Sequence, residues 1–67
     1  MKGIEVEGVI VAIHRNRYDV RIEQGPIVSA TESGHIRKAK LWLTVGDSCL
    51  VELCPYEMTK GRITRRL

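Results

Sequence analysis

Phenylalanine is absent from these 67 residues, and Trp42, Tyr18 and Tyr56 make up the whole aromatic complement. The core must therefore be assembled mostly from Val, Ile and Leu, residues that favour a pleated sheet. Cysteine is scarce. Cys49 and Cys54 are separated by an odd number of positions, which in an extended strand sends their side chains to opposite faces, so no disulfide is expected between them. Cys49 reads as a small core residue. Long apolar runs are missing too: the longest, residues 9–13, falls far below the ~20 residues that a membrane span needs. Met1-Lys2-Gly3 leads straight into charged residues and carries no export signal, so a cytoplasmic protein with no membrane partner is expected. His14 and His35 have no nucleophile close by in sequence, and no carboxylate pair sits at a catalytic spacing. No C-x-x-C or H-x-x-x-H pair exists for a metal. Neither an enzyme, a metal site nor a cofactor is expected.

What is present is enough for one small domain. At 43% hydrophobic residues the chain can fold compactly. A chain of this length buries only ~60% of the surface its unfolded form exposes, so the core is thin. A single domain over residues 1–67, structured over about 4–65, is the expectation, as a monomer. The net charge of +3 is spread unevenly. Arg37, Lys38 and Lys40 cluster in the middle, and Lys60, Arg62, Arg65 and Arg66 near the end. One such cluster reads as a solvated, solubilising face. Two on separate segments of so small a protein point to nucleic acid.

Along the chain, residues 4–14 read as one long strand. Ile4 and Val6 share one parity and Val9, Val11 and Ile13 the other, which places a change of phase, and a bulge or bend, at Gly8. Such a bend lets one strand serve both halves of a barrel. Arg15-Asn16 is a tight polar connection. Tyr18, Val20 and Ile22 then alternate with Arg17, Asp19, Arg21 and Glu23, a half-buried strand. Gln24-Gly25-Pro26 turns the chain into a third strand over 27–31. Within 32–45 the spacing of Ile36, Ala39, Lys40 and Leu43 predicts a short helix, with Ser33 as its cap.

The stretch 46–65 organises the rest. Gly46-Asp47 is a turn signal, and Cys49, Val51 and Leu53 face one way while Ser48, Leu50 and Glu52 face the other. Cys54-Pro55 ends that strand, since proline has no N–H for a ladder. Residues 56–60 read as a loop or single helical turn, and Gly61 restarts an extended chain. The predicted fold is all-β: a five-stranded Greek-key barrel of the OB-fold class, with a short helix between strands three and four. Its cations, with an aromatic platform at Tyr56, are the physical recipe for single-stranded RNA, because each base offers a stacking face and each nucleotide a phosphate. The alternative for Tyr56 is a packed ring with a satisfied hydroxyl. Tyr18 reads as core. Trp42 reads as a stacking residue or as an anchor for the helix.

Gly46-Asp47, Val51-Glu52-Leu53, Pro55-Tyr56-Glu57 and Lys60-Gly61-Arg62-Ile63, in register over 46–63, resemble the C-terminal signature of bacterial translation initiation factor one. Ser33-Gly34-His35-Ile36-Arg37-Lys38 is similar to that family's Ser-Gly-Lys-Met-Arg-Lys, and Ile4-Glu5-Val6-Glu7-Gly8 and Glu23-Gln24-Gly25 match as well. The resemblance implies an OB-fold that occupies the decoding site (A site) of the small ribosomal subunit. It implies contacts with ribosomal RNA and a ribosomal protein there, and action alongside initiation factors two and three. It assigns the RNA-facing role to Arg37, Lys38, Tyr56, Lys60, Arg62 and Arg65. Lys40 joins them by charge, with His35, Trp42 and Arg17 as secondary candidates. Departures from the pattern are His35 for lysine, Lys40 for tyrosine, Trp42 for a basic residue, Asp19 for arginine, and a turn at 15–17 one residue shorter. Two other readings stay open: a general single-stranded RNA binder or chaperone of the same fold, and a small β-barrel protein-interaction module whose cations merely solubilise it.

Overall fold

The computed structural model describes residues 3–23, 25–34 and 43–67. Alternating aliphatic residues set out the strands: β1 (Ile4–Ile13), β2 (Tyr18–Ile22), β3 (Ile27–Glu32), β4 (Ser48–Cys54) and β5 (Glu57–Arg66). They close into a barrel in the order β1-β2-β3-β5-β4. All neighbours are antiparallel except β3 and β5, which run parallel with Ser29 opposite Lys60 and Thr31 opposite Arg62. This is the five-stranded OB-fold barrel that the alternation predicted. The helix expected within 32–45 falls largely on residues 35–42, outside the described residues. Among the described residues no helix is long and apolar enough to cross a membrane.

The core is aliphatic: Ile10, Val20, Val28, Ala30, Leu43, Cys49, Val51, Leu53 and Ile63 are buried, with Val6, Tyr18 and Ile22 packed against them. Cys49 and Cys54 are both free thiols. Burial pushes the Cys49 thiol up to about 11, with the Asp47 charge adding to it.

β1 does serve both halves, pairing with β4 over residues 4–9 and with β2 from Gly8 onward. The expected change of phase at Gly8 is not there. Gly8 and Ile10 are both buried and Val6 half-buried, so the inward parity runs unbroken through Gly8, and the phase changes instead where the register slips between Ile10 and Ala12, which sets Ile13 opposite Tyr18. Val9, Val11 and Ile13 are all partly exposed, and since β1 past Gly8 is apolar at both parities, alternation alone cannot tell which face is inside. Glycine stands at position 8 for want of room: a Cβ there would lie 2.5 Å from Val20 Cγ1.

A second correction concerns residues 57–60. They are strand and not a loop or helical turn, joined to β4 by Pro55-Tyr56 alone. The ladder breaks between Leu53, opposite Gly61, and Cys54, opposite Glu57. Residues 58–60 thus bulge out of the β4 pairing and carry Lys60 across to β3.

The Gly46-Asp47 turn is stitched to β1. Gly46 N donates to Ile10 O at 2.8 Å, and Ile10 N donates to Asp47 O at 3.0 Å. Gly46 has φ +97°, which a side chain would resist. Asp47 Oδ2 accepts from Thr44 N at 2.9 Å. That backbone hydrogen bond, helped by Arg66, holds the Asp47 carboxyl below the usual carboxylate range.

Candidate nucleic-acid interface

The parallel pairing of β3 with β5 builds a surface that carries cations of β5 beside polar residues of β3. Ala30 and Ile63 turn inward to the core, which leaves Ser29, Thr31, Lys60 and Arg62 on the outer face of the same two strands. At one side of this face sits the β1–β2 turn, closed by His14 N donating to Arg17 O at 2.8 Å. At the other sits the Pro55-Tyr56 turn. Between them run two adjoining grooves. One, of about 620 Å³, is lined by the turn residues 14–17 with Ser29, Thr31, Lys60 and Gly61. The other, of about 370 Å³, is lined by Gly3, Thr31, residues 52–55, Lys60, Gly61 and Arg62. Thr31, Lys60 and Gly61 border both, so the two grooves adjoin along this face as the two halves of a trough.

Gly61 makes the trough's floor possible. A Cβ at this position would sit 2.6 Å from the Glu52 carbonyl oxygen, so only glycine lets β5 approach β4 this closely.

The cations stand at its sides with different degrees of restraint. Arg62 is anchored: its Nη2 lies 2.7 Å, and its Nε 2.9 Å, from Glu52 Oε1. The other Glu52 oxygen accepts from Gly3 N at 3.3 Å. The Arg62 hydrogen bond first, and that from Gly3 second, hold the Glu52 carboxyl below its ordinary range. Lys60 reaches Glu57 at 3.4 Å with its side chain 71% exposed, a loose surface pair worth little. Arg15 and Arg17 are exposed. His14 Nε2 meets Asp19 Oδ2 at 2.9 Å, so the aspartate found where the family pattern has arginine is engaged with the turn.

Of the residues singled out from sequence, Lys60, Arg62 and Arg17 come together on this trough. Tyr56 stands on the adjoining turn with 81% of its surface exposed, which removes the packed-ring alternative. Arg65 lies further along β5, opposite Leu50, and borders neither groove. His35, Arg37, Lys38, Lys40 and Trp42 lie outside the described residues. Sequence reading passed over Arg15, His14, Ser29 and Thr31. The signal available was two arginines flanking Asn16 in the first hairpin turn, which is one of the loops that OB-folds use for oligonucleotides.

No family model matches the sequence. Among solved structures, YjeQ from Thermotoga maritima superposes with a TM-score of 0.81 at 25% identity, over 96% of this chain and 23% of that one. YloQ, a circularly permuted GTPase, gives 0.80 at 21% identity, again over 96% and 23%. The chain thus spans about a quarter of those two proteins, and the likeness to YloQ is one of fold alone. Translation initiation factor one from the Wolbachia endosymbiont strain TRS of Brugia malayi matches with a TM-score of 0.79 at 34% identity, over 96% of this chain and 77% of that one. With that identity along nearly its whole length, the chain belongs to the family of translation initiation factor one.

Proposed function

We propose that this chain is a non-catalytic translation initiation factor that binds the decoding region of the small ribosomal subunit through ribosomal RNA. The carrying observation is the trough between the two hairpin turns, with Arg15, Arg17, Lys60 and Arg62 along it, in a chain of this family. Backbone phosphates fit such a surface because each cation that meets one releases condensed counterions. Tyr56 supplies an exposed ring on which a splayed base can stack. Arg37, Lys38 and Lys40, with His35 and Trp42, extend the RNA-binding set, and Arg65 adds a further cation. A ribosomal protein beside the decoding site and initiation factors two and three are the proposed partners.

Cosedimentation with purified small subunits tests this, alone and with the other two factors. The expected result is saturable binding that is strengthened by the other factors and weakened by decoding-site ligands. Equal affinity for any single-stranded RNA would instead make the chain a general RNA binder. Absence of binding to RNA of either kind would leave the protein-interaction module as the better account.

A further inference from the structure

We propose that Glu52 is a positioning residue that holds Arg62 side-on so that the outer edge of the guanidinium forms a phosphate subsite with Lys60 and Thr31. This rests on the RNA-binding reading above and adds a residue of the opposite charge to it.

A guanidinium has two forked edges. The side edge carries the Nε hydrogen and one Nη2 hydrogen; the end edge carries one hydrogen from each Nη. Both contacts to Glu52 use the side edge, Nε at 2.9 Å and Nη2 at 2.7 Å, and both fall on the same oxygen. The end edge is left to the trough, and the Arg62 side chain is 58% exposed. Glu52 is itself fixed. Its side chain is only 19% exposed, its second oxygen takes the Gly3 N–H, and its backbone sits in the β1–β4 ladder opposite Glu5. The acid is therefore the rigid partner and the arginine the one being aimed.

The surroundings of the end edge suit a phosphate. Thr31 lies opposite Arg62 across the parallel ladder, is exposed, and borders the same groove. Lys60 lies one residue beyond Gly61 on the same face, its ammonium tied loosely to Glu57. A planar fork, a hydroxyl and an ammonium around one opening match the oxygens of a phosphodiester. An arginine already oriented loses less side-chain entropy on meeting its ligand than a free one.

The proposal has a signature that charge alone cannot imitate. Removing a carboxylate from an RNA-binding surface should strengthen binding if Glu52 acts only as a repelling charge. If it positions Arg62, removal should weaken binding. The experiment measures affinity for small subunits and for a single-stranded oligoribonucleotide, after thermal melts establish which variants are folded. Glu52→Ala should bind roughly three- to tenfold more weakly than the parent, and Glu52→Gln, whose amide oxygen still accepts from the same edge, should recover most of that loss. In an Arg62→Ala background the Glu52→Ala change should no longer weaken binding. Glu52→Ala that binds as tightly as the parent, or more tightly, overturns the proposal. Should Glu52→Ala not fold, Arg62→Lys decides: an ammonium has no fork, so a loss close to that of Arg62→Ala supports the subsite, and binding like the parent's overturns it. A parent protein that binds neither probe refutes the RNA reading itself, a result distinct from a parent that binds and a Glu52→Ala variant that binds better.

Discussion

Tyr56 is exposed and Cys49 fully buried, and each makes a single-residue prediction. With 81% of its surface exposed, Tyr56 has little to contribute to the barrel. Tyr56→Ala should leave the melting temperature nearly unchanged while weakening small-subunit binding by ~1–3 kcal/mol. Tyr56→Phe should be close to silent, since stacking uses the ring and not the hydroxyl. A folded Tyr56→Ala protein that binds like the parent would remove the residue from the interface. Cys49 is the reverse case. It is fully buried, and with its thiol pushed up to about 11 it stays protonated at pH 8. The thiolate is the nucleophile, so iodoacetamide at that pH should label half-buried Cys54 well before Cys49 under native conditions. Mass spectrometry of the modified peptides reads this directly, and equal labelling would contradict the burial. Denaturation should abolish the difference.

At the scale of the strands, the two glycines at close approaches set the barrel's tolerance. Gly8→Val places a branched side chain against Val20, whose Cγ1 would be 2.5 Å from the new Cβ. Overpacking of this kind costs ~1–3 kcal/mol, and each kcal/mol lowers the melting temperature of so small a domain by roughly 4–8 °C. Gly61→Ala should cost a similar amount, because the obstacle there is the Glu52 backbone oxygen and cannot rotate away. Melts matching the parent for either variant would count against these contacts. The same positions show what the sequence could and could not say. The alternation of β4 was unambiguous because Leu50 and Glu52 lie on its outer face between buried Cys49, Val51 and Leu53. β1 was misphased because Val9, Val11 and Ile13 are as apolar as the residues they alternate with. The start of β5 was hidden because residues 58–60 bulge and leave no period to detect. The trough was only half legible. Its β5 residues carry a family signature, but the pairing that sets Lys60 beside Ser29 joins segments far apart in sequence, and no local pattern announces it.

For the whole molecule, pH and salt act on different properties. Asp47 and Glu52 both have carboxyls held below their ordinary values of 3.8 and 4.5. A group whose pKa is lower in the folded state binds fewer protons there, so its stabilisation is complete above the unfolded pKa and is lost as pH falls through the folded one. Stability from these two groups should hold at neutral pH and decline below about pH 4, and Glu52→Gln should flatten part of that acid limb in melts across pH. No decline difference between the parent and Glu52→Gln would argue against the Arg62 and Gly3 contacts. Salt should act on binding. The logarithm of affinity should fall with the logarithm of salt by ~0.7–0.9 per phosphate neutralised, so a flat dependence would discard the trough as an RNA surface. The closed ring of strands has one further consequence. Each of the five hydrogen-bonds to a neighbour on both sides over part of its length, so open edge is confined to short segments such as residues 4–7 of β1 and 27–28 of β3. Strand addition, and its common pathological form, edge-to-edge aggregation, have little free edge to use on these strands. On the described barrel, partners are met mainly through side chains and turns. Those can change by substitution without disturbing the ladder, which lets one barrel be re-dressed for different partners while its architecture stays the same.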